Sequence, residues 1–186
     1  MAIRLLPFRQ YAEEDVVNLF ASKDANNKVS DSGNGDAGVF VKVSAGDFGA
    51  DPVGYESDSY LGKTDYPFIG RNQYPVVPLK IEAASAGEAC VGVTLLQTAQ
   101  YDENDEKLLY YPQKKLEVQA VLTGEAVPVL GKGIITVDSD SVIDGSATVG
   151  HFVKLSSNAG KITGHASESH SNIGQILATG NRVNRG

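Results

Sequence analysis

The hexapeptide VFVKVS, residues 39–44, has a valine at every second position. Successive side chains of a β-strand point to opposite faces of its sheet, so a period of two is typical of a strand with one buried face. We therefore predict a half-buried strand in which Val39, Val41 and Val43 share the core side.

The same alternation recurs along the chain. It occupies residues 77–82 and 89–95 and is cleanest in residues 116–122, where the apolar side chains stand at the even positions. Shorter apolar runs bounded by Gly, Asn, Asp or Ser predict further strands at residues 126–130, 134–137, 151–155, 161–163 and 173–178. With no sustained helical period past residue 39, we predict little helix and a mainly β protein, built as a small β-sandwich or barrel.

Length and charge narrow the class of protein. A chain of 186 residues is long enough for one sizeable domain, or for a domain with an extended arm. The single cysteine, Cys90, cannot close an intramolecular disulfide. A net charge of -7 would repel nucleic-acid phosphates, and no local basic patch offsets it, so we expect no nucleic-acid partner.

The opening residues MAIRLLPF carry one arginine and a short apolar run that ends at Pro7. That run is too short for the core of a signal peptide, and no later stretch approaches the length of a membrane span. We expect a soluble protein that is made in the cytoplasm and does not bind membranes.

Residues 1–38 are predicted to form an extended N-terminal arm and a glycine-rich turn, and residues 39–186 a β domain. Pro7 removes a backbone donor and disfavours helix in the residue before it. Residues 13–20 suit either a short helix or a strand, and we favour the strand. The apolar side chains that we expect to anchor the arm on a partner are Ile3, Leu5, Leu6, Phe8 and Tyr11.

Residues 44–75 contain five glycines, three prolines and four tyrosines and show little alternation, which predicts a long irregular loop. Loops of this length are usually functional or held by a partner. Aromatic side chains in such a loop either stack on sugars or bases or, more commonly, anchor the loop on protein. The candidate contact residues here are Tyr55, Tyr60, Tyr66 and Phe68.

The hexapeptide GNGDAG, residues 33–38, fits the dinucleotide-binding pattern G-x-G-x-x-G. That pattern binds pyrophosphate only where a strand enters the turn and a helix leaves it. Here polar, turn-like residues enter and the predicted strand at residue 39 leaves. We predict a flexible turn and no nucleotide cofactor.

Histidines and acidic clusters are the remaining candidates for chemistry. His151, His165 and His170 lie within twenty residues, but their spacing matches no standard zinc pattern. Ser167 and His170 lack the positioned turn of a serine nucleophile. The acidic clusters at residues 102–106 and at Asp138, Asp140 and Asp144 lack the glycine at position six of a calcium-binding EF-hand loop, so solvated turns are the preferred interpretation. We therefore predict no catalytic site, no metal and no cofactor.

Segments of the second half resemble the capsid decoration (cement) proteins of tailed bacteriophages. The resemblance covers residues 70–180 and rests on a strand into a G-x-V turn, a proline-containing hairpin, a strand after a glycine and a closing I-G-x-I-L strand. These elements lie at residues 91–93, 127–129, 134–137 and 173–177. The opening RLLPFRQYAEEDVVNLFA is similar to structural proteins of marine phages.

This resemblance implies a structural virion protein that binds the outer surface of the phage head, often as a trimer, and reinforces contacts between major capsid protein subunits. We therefore expect a homo-oligomer, with the major capsid protein as its partner. The alternative is a carbohydrate-binding β module of a phage fibre or head appendage that uses the tyrosine-rich loop. An enzyme ranks third, because no residues assemble a nucleophile, a base and an orienting group.

Overall fold

The computed structural model describes residues 4–21, 36–44, 80–99, 101–102, 104–122 and 125–180. In these ranges the chain is mainly β, as the alternation predicts. The strands are β1 (Leu5–Gln10), β2 (Val16–Ala21), β3 (Phe40–Ser44), β4 (Lys80–Ala83), β5 (Gly92–Thr94), β6 (Gln97–Thr98), β7 (Ala120–Val121), β8 (Ala126–Leu130), β9 (Ile134–Val137), β10 (Phe152–Leu155), β11 (Ile162–His165) and β12 (Asn172–Gln175). The α-helices are α1 (Pro112–Glu117) and α2 (Ser139–Val142), and single 3-10 turns lie at Glu13–Asp15 and Leu108–Tyr110.

Five of the strands close a small barrel in the order β2-β4-β3-β5-β8. The pair β2–β4 is parallel, and the other four pairs are antiparallel. Of the two architectures that the pattern allows, the structure has the barrel. Val39 is 0% and Val41 2% exposed, whereas Val43, nearer the strand end, is 36% exposed. The interior is filled by side chains, as in other small barrels, and Val127 and Val129 of β8 complete it.

The other strands form smaller sheets around the barrel. β1 and β9 form an antiparallel pair, called here the ribbon, and β11-β10-β12 form a three-stranded antiparallel sheet, called the small sheet. β6 and β7 form a parallel pair. Apolar residues in and next to these strands pack with Leu108 in a separate cluster beside α1. The turn between β10 and β11 ties the small sheet to the barrel, since Gly160 donates its N–H to Ala84 O at 2.9 Å.

The N-terminal segment is extended, but it is not a separate arm. β1 pairs with β9, and β2 is a barrel strand in which Leu19 and Ala21 are buried. β2 pairs with strands beyond residue 39. The barrel therefore includes residues on both sides of the domain boundary predicted between residues 38 and 39. The preference for a strand in residues 13–20 is confirmed from Val16 onward, after the 3-10 turn.

The strand predicted at residues 116–122 is wrong for most of its length. Pro112 opens α1 at its first turn, where proline is favoured, and residues 113–117 are good helix formers. Leu116, expected on the core face, is 75% exposed. Gln119 ends the turn with a φ of 51°, and only Ala120 and Val121 form a strand. Local helix propensity outweighs the alternation of apolar side chains here, because no side chain of α1 has to be buried on one side of a sheet.

Most of the remaining strand predictions are confirmed with small shifts at their ends, but the strand predicted at residues 89–95 is limited to Gly92–Thr94. The strands predicted at residues 126–130 and 134–137 match β8 and β9, and the last strand begins at Asn172 and ends at Gln175. Residues 45–75 of the predicted loop and residues 77–79 lie outside the described residues. Within the described part of the chain, neither helix has the length and apolarity needed to cross a membrane.

Candidate functional site

An open cleft of about 2260 Å³ lies where the ribbon, the small sheet and the barrel strands β5 and β8 meet. Pockets for small ligands generally measure about 300–1,000 Å³. The cleft is therefore larger than a small-molecule site needs and has room for a segment of polypeptide.

The floor of the cleft is apolar and continuous with the core. Phe40 and Val137 both pack against two clusters, one around Leu5 and Leu130 and the other around Val153. Both residues also line the cleft. The floor is thus the seam that holds the ribbon and the small sheet against the barrel.

The walls expose large apolar side chains that a monomer does not bury. Those that line the cleft are Phe8 (66% exposed), Leu177 (60%), Ile134 (41%), Val91 (38%) and Ile173 (37%). Contiguous exposed apolar surface of this kind marks contact sites for proteins or other ligands.

Two walls are strand edges. Residues 130–141, which contain β9, and residues 172–180, which contain β12, line the cleft without a break. Among the described strands each of the two pairs on one side only, β9 with β1 and β12 with β10, so its other edge is open. From β1, by contrast, only Leu6 and Phe8, two positions apart, line the cleft, so β1 presents a face.

Asn172, at the start of β12, brings an unsatisfied polar group to the cleft. Its side-chain Nδ2 and Oδ1 are both shielded from solvent and have no hydrogen-bond partner among the described residues. Buried polar atoms in native proteins nearly always have partners. A side-chain amide that offers one donor and one acceptor group matches the polar groups of a peptide unit.

Charged residues in the cleft lining lie at opposite ends of β9. Lys132 precedes the strand, and Asp138 and Asp140 follow it. Asp138 caps α2 by accepting from the Ser141 N–H at 3.2 Å, and Asp140 is exposed. The lining therefore changes from positive to negative along one wall.

Arg4 fixes the start of the ribbon. Its Nη2 donates to Gly160 O at 3.0 Å, and its backbone oxygen accepts from Asp138 N–H at 2.9 Å. Burial lowers the pKa of the Arg4 guanidinium from its ordinary value, an effect that Asp36 and Asp144 oppose. The charge serves structure, because the residue is 6% exposed and lies outside the cleft lining.

The structure separates the side chains predicted to contact a partner. Leu6 and Phe8 line the cleft, whereas Leu5 is 7% exposed and packs in the protein's own core. Tyr11 is 38% exposed and lies beside Gly133, outside the cleft lining. Ile3 and the loop residues Tyr55, Tyr60, Tyr66 and Phe68 lie outside the described residues.

The sequence identified the cleft-lining residues Ile134, Ile173 and Leu177 only as parts of strands. The I-G-x-I-L pattern at residues 173–177 was the available signal, because it places apolar side chains at both parities of one strand. A short strand with apolar residues on both faces either is buried or contacts a partner.

The acidic clusters have structural roles in the chain. Asp102 is 3% exposed, so the interpretation as a solvated turn is wrong for it, and its Oδ1 accepts from the N–H groups of Asn104 at 2.8 Å and Glu106 at 2.9 Å. Asp144 accepts from the Ser156 hydroxyl and from Asn158 Nδ2, and lies 3.7 Å from Lys161 Nζ. These hydrogen bonds, that of Ser156 foremost, lower the pKa of Asp144.

The other sequence candidates form no reactive cluster in the described part of the chain. His165 Nδ1 accepts from Ser167 N–H at 3.2 Å, a local turn. No group of three or more His, Cys, Asp or Glu side chains there could hold a metal ion. Gly38, the last residue of GNGDAG, has a φ of 86° and leads into β3, so a turn followed by a strand is confirmed at this point.

Comparison with known proteins returns no match to any protein-family model, curated protein or solved structure.

Proposed function

We propose that this chain is a structural virion protein, which binds the outer surface of a phage head and reinforces contacts between major capsid protein subunits. The observation that carries the proposal is the open cleft with an apolar floor, bounded by two strand edges. A surface of this kind is suited to holding another polypeptide, and its size exceeds that of a small-ligand pocket.

The build of the molecule supports a mechanical role. Phe40 and Val137 pack against both of the apolar clusters that join the closed barrel, the ribbon and the small sheet. A force applied to the cleft walls would therefore be transmitted directly to the core. The resemblance of residues 70–180 to phage decoration proteins points to the major capsid protein as the partner. The carbohydrate-binding alternative rests on residues 55–68, which lie outside the described residues.

Co-sedimentation with heads assembled from the major capsid protein of the same virus tests this function. We expect the wild-type protein to sediment with heads in a fixed ratio of copies. Phe8→Asp and Leu177→Asp, which place a charge on cleft side chains, should stay in the supernatant.

Leu116→Asp and Val149→Asp are matched controls, since these residues are 75% and 54% exposed but lie outside the cleft lining. They should bind as the wild type does. If the wild-type protein does not sediment with heads, the proposed function is wrong. If all four variants bind equally, the cleft is not the contact surface.

A further inference from the structure

We infer that the cleft receives one extended segment of the partner chain as an added β-strand, which pairs with the edges of β9 and β12 that no other described strand occupies. This inference rests on the proposed function and names the form in which the capsid protein is held. Strand addition is a common mode of peptide recognition, in which backbone hydrogen bonds give affinity and side-chain pockets give specificity.

The hydrogen-bond pattern shows which way the edge of β12 points. Gln175 pairs with Phe152, and the adjacent bond runs from Ile176 N–H to His151 O at 2.9 Å. In an antiparallel ladder this places Gln175 at a non-hydrogen-bonded position. Its own N–H and C=O therefore point away from β10, towards the side on which residues 172–180 line the cleft.

The edge of β9 has the same arrangement. Val137 pairs with Leu5, and the adjacent bond runs from Asp138 N–H to Arg4 O at 2.9 Å. Val137 is thus also at a non-hydrogen-bonded position, with its N–H and C=O turned away from β1. Among the described residues no backbone group takes up either outward-facing pair.

A further feature fits an extended peptide. Exposed apolar side chains on both walls, such as Ile134 and Ile173, suit a strand with apolar side chains at alternate positions.

The charges of the lining give the segment a direction. Lys132 stands at one end of β9, and Asp138 and Asp140 stand at the other. Charge complementarity therefore calls for a segment with an acidic residue near Lys132 and a basic residue near Asp140.

A proline at position 175 tests the backbone contact. Gln175→Pro removes an N–H that faces the open edge and leaves the ladder with β10 intact, which edge strands tolerate. We expect it to weaken binding to assembled heads by up to about tenfold, the effect of losing one backbone hydrogen bond. Gln175→Ala, which retains the N–H, is the matched control and should bind nearly as the wild type does.

Amide hydrogen exchange of the wild-type protein, free and on heads, needs no variant to fold. Strand addition predicts new protection of the Gln175 and Val137 amides on binding. Reversal of charge at Lys132→Glu should also weaken binding, and less so at high salt, whereas Lys154→Glu outside the lining should not.

The outcomes separate the two proposals. If the wild-type protein fails to sediment with heads, the proposed function fails. If it sediments, but these amides gain no protection and Gln175→Pro binds as well as Gln175→Ala, the strand inference is overturned while the function stands.

Discussion

The guanidinium of Arg4 donates a hydrogen bond from Nη2 to the carbonyl oxygen of Gly160 at 3.0 Å, joining residues 156 positions apart. Gly160 in turn donates to Ala84 O, and its own carbonyl accepts from Phe40 N–H. One turn therefore gathers the start of the ribbon, the small sheet and the barrel.

Replacement of Arg4 should destabilise the fold through this junction. We expect Arg4→Ala to lower the free energy of unfolding by about 2–3 kcal/mol, because a charge-assisted hydrogen bond and buried side-chain volume are lost together. Arg4→Met, which retains most of the volume, should cost less. Urea denaturation measures both, and an Arg4→Ala midpoint equal to that of the wild type would contradict the structural role.

Gly92 lies at a close approach of the barrel strands β5 and β8. A Cβ atom at this position would lie 2.2 Å from Leu130 O, so Gly92→Ala must push β5 away from β8. We expect a loss of roughly 2–4 kcal/mol in the free energy of unfolding. Gly174→Ala is the control, because nothing lies within 4 Å of its Cβ position, and it should be neutral or slightly stabilising. Equal thermal midpoints for the two variants would refute the close approach.

Asp144 should make stability sensitive to acid. Its folded-state pKa is depressed by hydrogen bonds, first that of Ser156, so the ionised carboxylate stabilises the folded state above the ordinary pKa of 3.8. This contribution is lost as the pH falls below that value and through the folded-state pKa. Asp144→Asn should therefore show a smaller loss of urea resistance between about pH 7 and about pH 3 than the wild type. Glu168→Gln, the same charge change at an exposed residue, should keep the wild-type acid sensitivity. Parallel profiles for Asp144→Asn and the wild type would exclude the effect.

Gln119 holds a left-handed backbone at the end of α1, with a φ of 51°. Glycine adopts this conformation without the steric cost that a Cβ imposes. Gln119→Gly should raise the free energy of unfolding by about 0.5–1 kcal/mol. Gln119→Ala, which keeps the Cβ, should give no gain. A Gln119→Gly protein that melts below Gln119→Ala would show that the backbone at this position is not strained.

Much of the strand content could be read from local patterns. VFVKVS places Val39 and Val41 in the core because period two is a property of a single strand, whatever its partners. The turn residues that flank β8 and β9 also predicted the ends of these strands correctly, because the preference of such residues for turns is local as well. Where alternation and helix propensity coincided, after Pro112, the local pattern misled.

The cleft could not be predicted in this way. Leu6 and Phe8 were predicted as contact residues, but their place in the cleft lining depends on β1 lying against β9 and not projecting as an arm. No pattern in either segment encodes that pairing, and none distinguishes Leu5, which is buried, from Leu6.

The amino-acid order alone therefore established a mainly β chain, the positions of most strands and the inward-facing side chains Val39 and Val41. It did so because the alternation of side chains is a local consequence of extended backbone geometry. The closing of the barrel, the docking of the ribbon and the cleft that β9 and β12 both line were decided by the tertiary structure. They depend on hydrogen bonds and apolar contacts between segments that are distant in the sequence. The free energy of those contacts is gained only when the segments come together, so no single stretch of sequence encodes it.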